Sequence, residues 1–413
     1  MTPEQIDLIN KTVPVVDRYG QEITRVFYKN MLAAHPELNS VFNKTNQDTG
    51  YQAKVLAKAL YAYAANIRNL EALGPMVELV SHKHASLEIT PGQYDIVGKY
   101  LLGAMEEVLG ANFTKDIQDA WTAAYSQLAG IMVQKEASLY DQHAEWKGWR
   151  DFRVTQISRE SDEISSFYLS PVDGKPLPSF VPGQYVSVQT HVPHLGYTQA
   201  RQYSMSDIPS PAYYRISVKR EDGRQFPPGR LSNTLHDFET PGKTVQVSPP
   251  RGNFLLKGVH ERSPVVLIAG GVGITPLLCM LKYLTSTGPN MERHVHLVYA
   301  TRTTSARAFF AEIMEIGRRN PTVKLTFFVE YPGESDQAGE DYHHIGRIDL
   351  QRLDVRKDIF IDDFSARYYI CGPSPFLQTV KGSLLSQGVT STRINMEIFG
   401  AGGFDTTKPQ EHL

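Results

Sequence analysis

Residues 264–276 read PVVLIAGGVGITP, and this stretch decides how the C-terminal part of the chain is interpreted. An apolar run typical of a buried strand leads directly into a glycine-rich turn. Glycines let the backbone approach a ligand closely, and a helix that follows such a turn presents free N–H groups to a phosphate. Thr275 is expected to cap that helix, with Pro276 as its first residue. The stretch therefore predicts a phosphate-binding turn of the dinucleotide type.

Two other interpretations of this stretch stay open. Pro276 stands where a full G-x-G-x-x-G motif has its last glycine, so the turn could be no more than a tight strand–helix connection. Residues 264–281 also carry no charge over 18 positions and could imitate a membrane span. The glycines and the proline in the middle favour a strand, a turn and a helix over a span.

Strands alternate with helices after this turn. The apolar runs HVHLVYA, LTFFVE and RYYIC are separated by helical stretches such as AFFAEIMEIGRR, a pattern typical of a parallel α/β sheet. The last strand leads into Cys-Gly-Pro at 371–373, at the carboxyl edge of the sheet where such folds bind ligands. Cys371 could equally be an inert buried thiol. We predict an α/β parallel-sheet domain over residues 261–413.

The chain before this domain changes character near residue 145. Residues 1–145 have few prolines and apolar residues at every third or fourth position, which predicts an all-α domain of roughly six to eight helices. Residues 150–260 contain short, partly alternating strands between Pro/Gly turns, which predicts an antiparallel β-barrel. The barrel contains Arg201-Gln202-Tyr203-Ser204, where the arginine can hold a phosphate and the tyrosine can stack on a flat ring.

The composition of the 413 residues excludes several classes of protein. Apolar residues make up 41% and charged residues 21%, as in ordinary globular proteins. The net charge of −2 gives no reason to expect a nucleic-acid partner or an obligatory membrane. Two cysteines do not make a disulfide framework and favour a reducing compartment. The N-terminus resembles neither a signal peptide nor a transit peptide, so we expect a cytoplasmic protein.

His82 and His84 stand two positions apart in a stretch with helical apolar spacing. Residues two apart on a helix point to nearly opposite faces, so the two histidines cannot reach one site. His84 shares its column with Val80 and Leu87, whereas His82 shares its column with Glu78. We therefore predict that His84 faces inward and His82 faces outward. By itself, an inward histidine is also compatible with a plain core residue.

The segments RQYS, GGVGITP and CGP, in this order and spacing, resemble the ferredoxin-NADP reductase superfamily. The resemblance implies FAD on the barrel and NAD(P)H on the following α/β domain, and it extends to the stretches PGQY, GRLS and MEIFG. The segment EDGRQFPPGRLS is several residues longer than the family pattern, and by the residues alone Tyr185 and Phe399 would be core aromatics. The cofactor-binding residues that the resemblance implies here are Tyr185, Arg201, Gln202, Tyr203, Ser204, Ser232, Gly270, Gly271, Val272, Gly273, Ile274, Thr275, Pro276, Cys371, Gly372, Pro373, Glu397, Ile398, Phe399 and Gly400.

A helical domain of globin length fused to such a reductase resembles a flavohaemoglobin from end to end. The resemblance implies haem b with His84 as the iron ligand and with Phe42 packed on the haem. It also places Lys83 near the haem, although a solvated lysine is the alternative. On the distal side it implies the catalytic residues Tyr28, Gln52 and Leu56.

The resemblance also implies two catalytic residues on the proximal side, Tyr94 and Glu136. A ligating histidine donates its other N–H to a second partner, and a carboxylate there makes the imidazole more electron-donating, as in peroxidases rather than oxygen carriers. From the residues alone, Glu136 would be an exposed residue of the stretch VQKEASLY.

The implied activity is that of a nitric oxide dioxygenase, which converts NO and O2 to nitrate and so detoxifies NO under nitrosative stress. Electrons would pass from NAD(P)H through FAD to the haem, and no protein partner would be needed to supply them. One rival is an oxygen carrier or sensor globin that its own reductase keeps ferrous, and a second is a general flavin reductase with external acceptors. Arg302 could accommodate the 2′-phosphate of NADPH or be solvated, so the preferred nicotinamide stays open.

Overall fold

The computed structural model describes residues 1–223, 227–256, 262–286 and 293–399. Contacts within the chain divide it into two compact units. The boundaries predicted for three domains, 1–145, 150–260 and 261–413, stay predictions. The first unit contains Met1–Arg150, Val186–Gln202 and Gln246–Asn253, and the second contains Asp151–Tyr185, Tyr203–Val245 and the chain from Phe254 onward.

Residues 1–150 are helical, and their six α-helices fall within the predicted range. The first helix begins with a capping box, because the Thr2 hydroxyl accepts from Gln5 N at 3.2 Å and the Gln5 side chain accepts from Thr2 N at 3.0 Å. Short 3-10 turns at Pro36–Ser40, Leu70–Leu73 and Gly110–Asn112 separate some of the helices. The helices are α1 (Pro3–Ala34), α2 (Lys44–Asp48), α3 (Tyr51–Ala65), α4 (Gly74–Ser86), α5 (Pro91–Leu109) and α6 (Lys115–Asp141).

The crossing of α1 and α3 is fixed by a polar contact close to two predicted site residues. The Thr24 hydroxyl on α1 lies 2.8 Å from the Ala53 carbonyl oxygen on α3. Tyr28 follows Thr24 by one helical turn, and Gln52 precedes Ala53 directly. The crossing therefore brings Tyr28 and Gln52 next to each other.

The strands after residue 150 form one antiparallel sheet. An isolated antiparallel bridge pairs Met205 with Ile216, so the chain just after the fourth strand meets the fifth strand at the opposite edge of the sheet, as the predicted barrel requires. The elements are β1 (Arg150–Arg159), β2 (Ile164–Pro171), β3 (Tyr185–Val192), β4 (Tyr197–Ser204), β5 (Tyr214–Lys219), α7 (Arg230–His236) and β6 (Thr244–Val247), and the strand order in the sheet is β4-β3-β6-β1-β2-β5.

The C-terminal strands form a parallel sheet with one apolar cluster on each face, which confirms the predicted α/β class. The strand Val265–Gly270, in the interior of the sheet, is apolar and buried throughout, as expected for a sheet covered on both faces. The elements are β7 (Val265–Gly270), α8 (Ile274–Ser286), β8 (Val295–Thr301), α9 (Phe310–Arg319), β9 (Val323–Val329), β10 (His344–Ile345), β11 (Arg367–Gly372), α10 (Ser374–Ser386) and β12 (Ile394–Ile398), and the strand order is β10-β9-β8-β7-β11-β12.

The uncharged stretch 264–281 is divided between β7, a 3-10 turn at Gly271–Gly273 and α8. The glycines end the strand, and the helix that follows lies in the core of the α/β part. In the part of the chain that the structure describes, no helix combines the length and the apolarity that a membrane crossing needs.

Candidate functional site

The predicted iron ligand His84 lies on α4, and side chains from two other helices contact one of its ring nitrogens. Nδ1 of His84 is 3.0 Å from Glu136 Oε1 on α6 and 2.8 Å from Tyr94 Oη on α5. The Tyr94 hydroxyl donates to the same oxygen of Glu136 at 2.5 Å. Because a carboxylate can only accept, Nδ1 carries the proton of the imidazole. The structure thus brings together the three predicted proximal residues.

The interpretation of Glu136 as exposed, drawn from the residues alone, is wrong. Its side chain is only 3% accessible, because α6 turns this position towards α4 and α5. A buried carboxylate is unfavourable unless it is hydrogen-bonded, and here it accepts from two donors. Burial, followed by the hydrogen bond to Glu136, raises the pKa of Tyr94, so the phenol keeps its proton and stays a donor.

These contacts fit a haem ligand. With Nδ1 held by Glu136 and Tyr94, Nε2 is the ring nitrogen left for a metal, and no described residue hydrogen-bonds to it. Several large apolar side chains in this unit are only partly buried, and a flat macrocycle such as haem could cover them. They include Phe42, Leu56, Val77, Ile96 and Val97.

The predicted distal residues form a second group. Tyr28 is 8% exposed, and the side chain of Gln52 hydrogen-bonds to its phenol. Burial raises the pKa of Tyr28, and the bond from Gln52 opposes that shift without cancelling it, so the hydroxyl stays protonated. Phe42 stands edge-on to Tyr28 with ring centroids 5.5 Å apart. Leu56 lies one turn after Gln52 on α3 and packs against the same core.

The prediction that His82 faces outward is wrong. The side chain is 8% exposed, its Nδ1 accepts from Gly252 N at 3.1 Å, and its Nε2 is 3.1 Å from Glu78 Oε1. Burial lowers the pKa of His82, which keeps the imidazole neutral despite the opposing effect of Glu78. The face of α4 that His82 shares with Glu78 was expected to meet solvent, but the segment around Gly252 covers His82. Lys83 is exposed.

The predicted flavin residues fall in both units. In the first unit, Arg201 donates to Asn43 Oδ1 at 2.7 Å, and Gln202 Nε2 lies 3.3 Å from Ser86 Oγ. In the second unit, Ser232 lies on α7, and a Cβ placed on Gly229 would fall 2.0 Å from its hydroxyl oxygen. In that unit Ser204 is buried, whereas Tyr185, Tyr203 and Ser232 are partly buried.

The glycine turn after β7 is shaped by the neighbouring strand. A Cβ on Gly273 would lie 2.2 Å from the backbone oxygen of Cys371, so only glycine permits this approach. Gly271 has φ +55°, and a Cβ there would meet nothing within 4 Å. The turn therefore combines a closely packed side and an open side, and its backbone is accessible to a ligand on the open side. Both features fit a dinucleotide phosphate.

The two predicted nucleotide motifs meet at one edge of the sheet. Strands β7 and β11 are parallel neighbours, with Ala269 paired to Cys371, and each is followed by a helix, α8 and α10. The chain leaves β7 towards β8 on one side and returns to β11 on the other side, which is the switch point where such folds bind ligands. Two helix N-termini thus face the same edge.

Thr275 does not cap the helix, contrary to the prediction. Helix α8 begins at Ile274, and the Thr275 hydroxyl donates to Val272 O at 3.1 Å inside the first turn. The 3-10 turn at Gly271–Gly273 already bends the chain into the helix, so the helix starts before Thr275 and Pro276. The backbone N–H groups of the turn at Gly271–Gly273, rather than those of a helix capped by Thr275, are therefore the candidates for a phosphate contact.

The C-terminal residues of the prediction lie beside this edge. In the parallel pairing of β11 and β12, Glu397 is opposite Cys371, and Phe399 N donates to Gly372 O at 2.9 Å. Burial and then the charge of Glu397 raise the pKa of the Cys371 thiol. Ile398 ends β12. Gly400 lies outside the described residues.

Sequence reasoning missed the partner of Arg302. The guanidinium forms an ion pair with Glu163, which lies in the turn between β1 and β2. Lys219 Nζ is 3.5 Å from the other oxygen of the same carboxylate. The residues are more than a hundred positions apart, and no local pattern indicates the pair. Arg302 is therefore neither simply solvated nor available without competition.

Comparison with known proteins places the whole chain. The globin family profile matches residues 25–132, and the oxidoreductase NAD-binding domain profile matches residues 267–382. A flavohemoprotein of Rhizobium meliloti is 44% identical over 97% of this chain and 98% of its own length. The flavohemoglobin of Malassezia yamatoensis, solved with bound FAD and haem, superposes with a TM-score of 0.84 at 28% identity, over 97% of this chain and 99% of that one.

A third relative covers only the reductase part. The flavohem-like FAD/NAD-binding domain of a nitric oxide dioxygenase from Vibrio cholerae is 32% identical, with a TM-score of 0.54 over 61% of this chain and 98% of that domain. Identity at this level over nearly the full length of both chains, together with the globin and NAD-binding matches, means that the chain belongs to the flavohemoprotein family.

Proposed function

We propose that this flavohemoprotein is a nitric oxide dioxygenase, which uses NAD(P)H to convert NO and O2 to nitrate. Its kinship with flavohemoproteins extends over nearly the whole chain, and the Vibrio cholerae relative is a domain of a nitric oxide dioxygenase. The haem-type, flavin-type and nucleotide-type parts are on one polypeptide, so no protein partner is needed for electron supply.

The cofactors are haem b, FAD and NAD(P)H, as the residues described above fit them. When bound, haem supplies an iron at which the two gases react, and FAD supplies the change from two-electron hydride chemistry to single-electron transfer. His84 would hold the iron, with Nε2 as the ring nitrogen that is left for it. The turn after β7 binds the nucleotide phosphates through its backbone N–H groups, and Arg201, Tyr203 and Ser204 bind the flavin.

The contact that carries the proposal is the one between Glu136 and Nδ1 of His84, at 3.0 Å. A charged acceptor on this N–H makes the imidazole a stronger electron donor to the iron than a neutral carbonyl would. Tyr94 donates to the same carboxylate and fixes its orientation. An oxygen carrier has no need of such a strongly donating ligand, so this arrangement favours turnover over storage.

On the distal side, Tyr28 and Gln52 supply hydrogen bonds. The Tyr28 phenol stays protonated because burial raises its pKa, so it donates wherever negative charge develops on oxygen. Gln52 holds the phenol in place, and Gln47 in turn donates to Gln52 Oε1 at 2.7 Å. Leu56 restricts the space beside them. Together, these three side chains would orient and confine a gas molecule on this side of the site.

The preferred nicotinamide follows from the environment of Arg302. Because Glu163 neutralises this arginine, a 2′-phosphate would have to displace a carboxylate to bind it. We therefore expect NADH to be the better donor. Comparing kcat/KM for NADH and NADPH tests this expectation, and equal values would contradict it.

Both cysteines are free buried thiols, in keeping with a reducing cytoplasm.

The decisive experiment measures NO consumption by the purified protein at an NO electrode, with NADH, first in air and then without oxygen. We expect rapid consumption only in air, nitrate as the product, and two NO per NADH, because one hydride carries two electrons. A protein that binds O2 and is reduced by NADH, yet consumes little NO, would be a carrier or sensor. Electron flow to cytochrome c that persists in His84→Ala, without any NO chemistry in the unaltered protein, would identify a general flavin reductase.

A further inference from the structure

His82 and His84 lie on opposite sides of helix α4, and the side that carries His82 is covered by another part of the chain. His82 Nδ1 accepts from the backbone N–H of Gly252 at 3.1 Å, although the two residues are 170 positions apart. The other nitrogen, Nε2, carries the proton and donates to Glu78. Gly252 has φ +110°, a conformation that favours glycine, so the backbone can turn its N–H towards the imidazole.

A second contact lies on the same side of α4, one turn further on. The Ser187 hydroxyl on β3 donates to Ser86 Oγ at 2.9 Å. Gln202 Nε2, on β4, lies 3.3 Å from Ser86 Oγ and 3.4 Å from Ser187 Oγ. Ser86 follows His82 by four residues and therefore shares its face of the helix. Gln202 belongs to the RQYS segment that is predicted to bind the flavin.

These polar groups are buried, which makes their bonds specific. Ser86 and Ser187 are fully buried, His82 is 8% exposed, and Gly252 is buried as well. A buried donor or acceptor that loses its partner is strongly unfavourable, so the β segments can sit on this face only in the register that pairs them all. The neighbouring Arg251 adds a bond from Nη1 to Leu139 O at 2.8 Å on α6, the helix that carries Glu136.

We infer that His82 and Ser86 are positioning residues that hold the β3–β4 and 246–253 segments against the helix that carries the iron ligand. The inference rests on the proposed function, because it takes His84 as the haem ligand and the RQYS segment as part of the flavin site. The step that depends on this docking is the transfer of one electron from reduced flavin to ferric haem, which becomes ferrous. The contacts of His82 are with Gly252 and Glu78, and those of Ser86 include Ser187 and Gln202, so both act through other residues.

The test uses the full-length protein with haem and FAD bound. His82→Leu removes the acceptor for Gly252, whereas His82→Asn keeps an oxygen near the position of Nδ1. Ser86→Ala removes the shared hydroxyl. Ser81→Ala is the matched control, because Ser81 is equally buried on α4 but faces Met132 on α6, with Oγ 3.6 Å from the sulfur.

Two measurements are made on each variant without oxygen and NO. Stopped-flow mixing with NADH follows flavin reduction and haem reduction separately at their own absorbance bands. Hydrogen exchange in the oxidised protein reports the protection of the Gly252 amide and of the 246–253 segment, independently of turnover.

In His82→Leu we expect flavin reduction to be unchanged, haem reduction to be slower by roughly tenfold, and exchange at Gly252 to be faster by a similar factor. His82→Asn should recover most of both losses, Ser86→Ala should show smaller losses of the same kind, and Ser81→Ala should behave as the unaltered protein. Unchanged haem reduction in both His82→Leu and Ser86→Ala would overturn the inference. Equal slowing in Ser81→Ala would also overturn it, since the effect would then be general destabilisation of α4.

The proposed function and the inference fail in different ways. If haem in the unaltered protein were not reduced through the flavin, the proposed electron path would be wrong. If it were reduced normally and the variants matched it, only the docking role would be wrong. Should His82→Leu fail to fold, Ser86→Ala still decides the question, through the rate of haem reduction and the protection of the 246–253 segment.

Discussion

The proposed iron site and the proposed nucleotide site are built in opposite ways. At His84, three helices each contribute a side chain, and the chemistry depends on the charge and the proton of those side chains. At the turn after β7, side chains are excluded, and backbone groups come close together because Gly273 has no Cβ. A site of the first kind is sensitive to the chemical identity of its side chains. A site of the second kind is sensitive only to added volume.

The largest expected effect is that of His84→Ala. Removal of the iron ligand should abolish haem binding and reduce NO consumption to background, while NADH-driven electron flow to an external acceptor persists. Haem absorbance, the NO electrode and cytochrome c reduction measure the three properties. His35→Ala is the control. Its imidazole hydrogen-bonds to Glu37 and, among the described residues, to none of the predicted site residues, so the substitution should leave all three properties unchanged. Haem retained with full NO consumption would show that another residue holds the iron.

Gly273→Ala should have the next largest effect, for the opposite reason. The new methyl group would lie 2.2 Å from a backbone oxygen of β11, so the turn must move, at a cost of about 3 kcal/mol in the free energy of unfolding. Nucleotide affinity should fall with it, as measured by titration with NADH. Gly382→Ala on α10 is the control: its Cβ position is open, and the substitution should be neutral or stabilising by up to about 1 kcal/mol. Normal nucleotide binding by Gly273→Ala would mean that the turn does not contribute to the site.

Glu136→Gln tests the proposed iron site by removing one charge while keeping the shape of the side chain. The amide can still accept from Nδ1, but without the charge the imidazole donates less to the iron, and ferric haem loses part of its stabilisation. The midpoint potential of the haem should therefore rise, by on the order of 50 mV, which corresponds to about 1 kcal/mol for a one-electron couple. Spectroelectrochemical titration measures it. Asp141→Asn, exposed at the end of the same helix, should leave the potential unchanged.

The two sites also differ in how far the sequence predicts them. The glycine turn is a local feature, since the glycines that shape it are contiguous with the strand and the helix, and residues 264–276 alone predict its position. Two local expectations there are wrong: because a 3-10 turn starts the helix at Ile274, Thr275 is not its cap and Pro276 is not its first residue.

The iron site is assembled from helices, and helical periodicity indicates only which residues share a face. It predicted that His82 and His84 diverge, but it could not indicate that Gly252, 170 residues later, covers His82. The burial of Glu136 has the same cause, since it depends on how α6 crosses α4 and α5. Only the family resemblance pointed to Glu136, and no local signal pointed to the contact between Arg302 and Glu163.

The smallest expected effect is that of Cys371→Ala, and it tests whether the nucleotide site is indeed made of backbone. The atoms of residue 371 closest to the glycine turn are its backbone oxygen and carbon, whereas its thiol side chain is fully buried in the apolar cluster. The substitution should cost about 1 kcal/mol of stability through the small cavity and change NADH affinity by less than about threefold.

The reactivity of the two thiols is an independent test of whether the nucleotide site is made of backbone groups. Burial raises the pKa of Cys371 and that of Cys279, the latter to about 12, so the thiolate that reacts with disulfide reagents is disfavoured at pH 8 and would form only at higher pH. The native protein should therefore react slowly with such a reagent, and both thiols should react once denaturant unfolds the chain. Rapid reaction of Cys371 in the native state, prevented by bound NADH, would instead place its side chain in the nucleotide site. The contrast between a site made of side chains and a site made of backbone would then no longer hold.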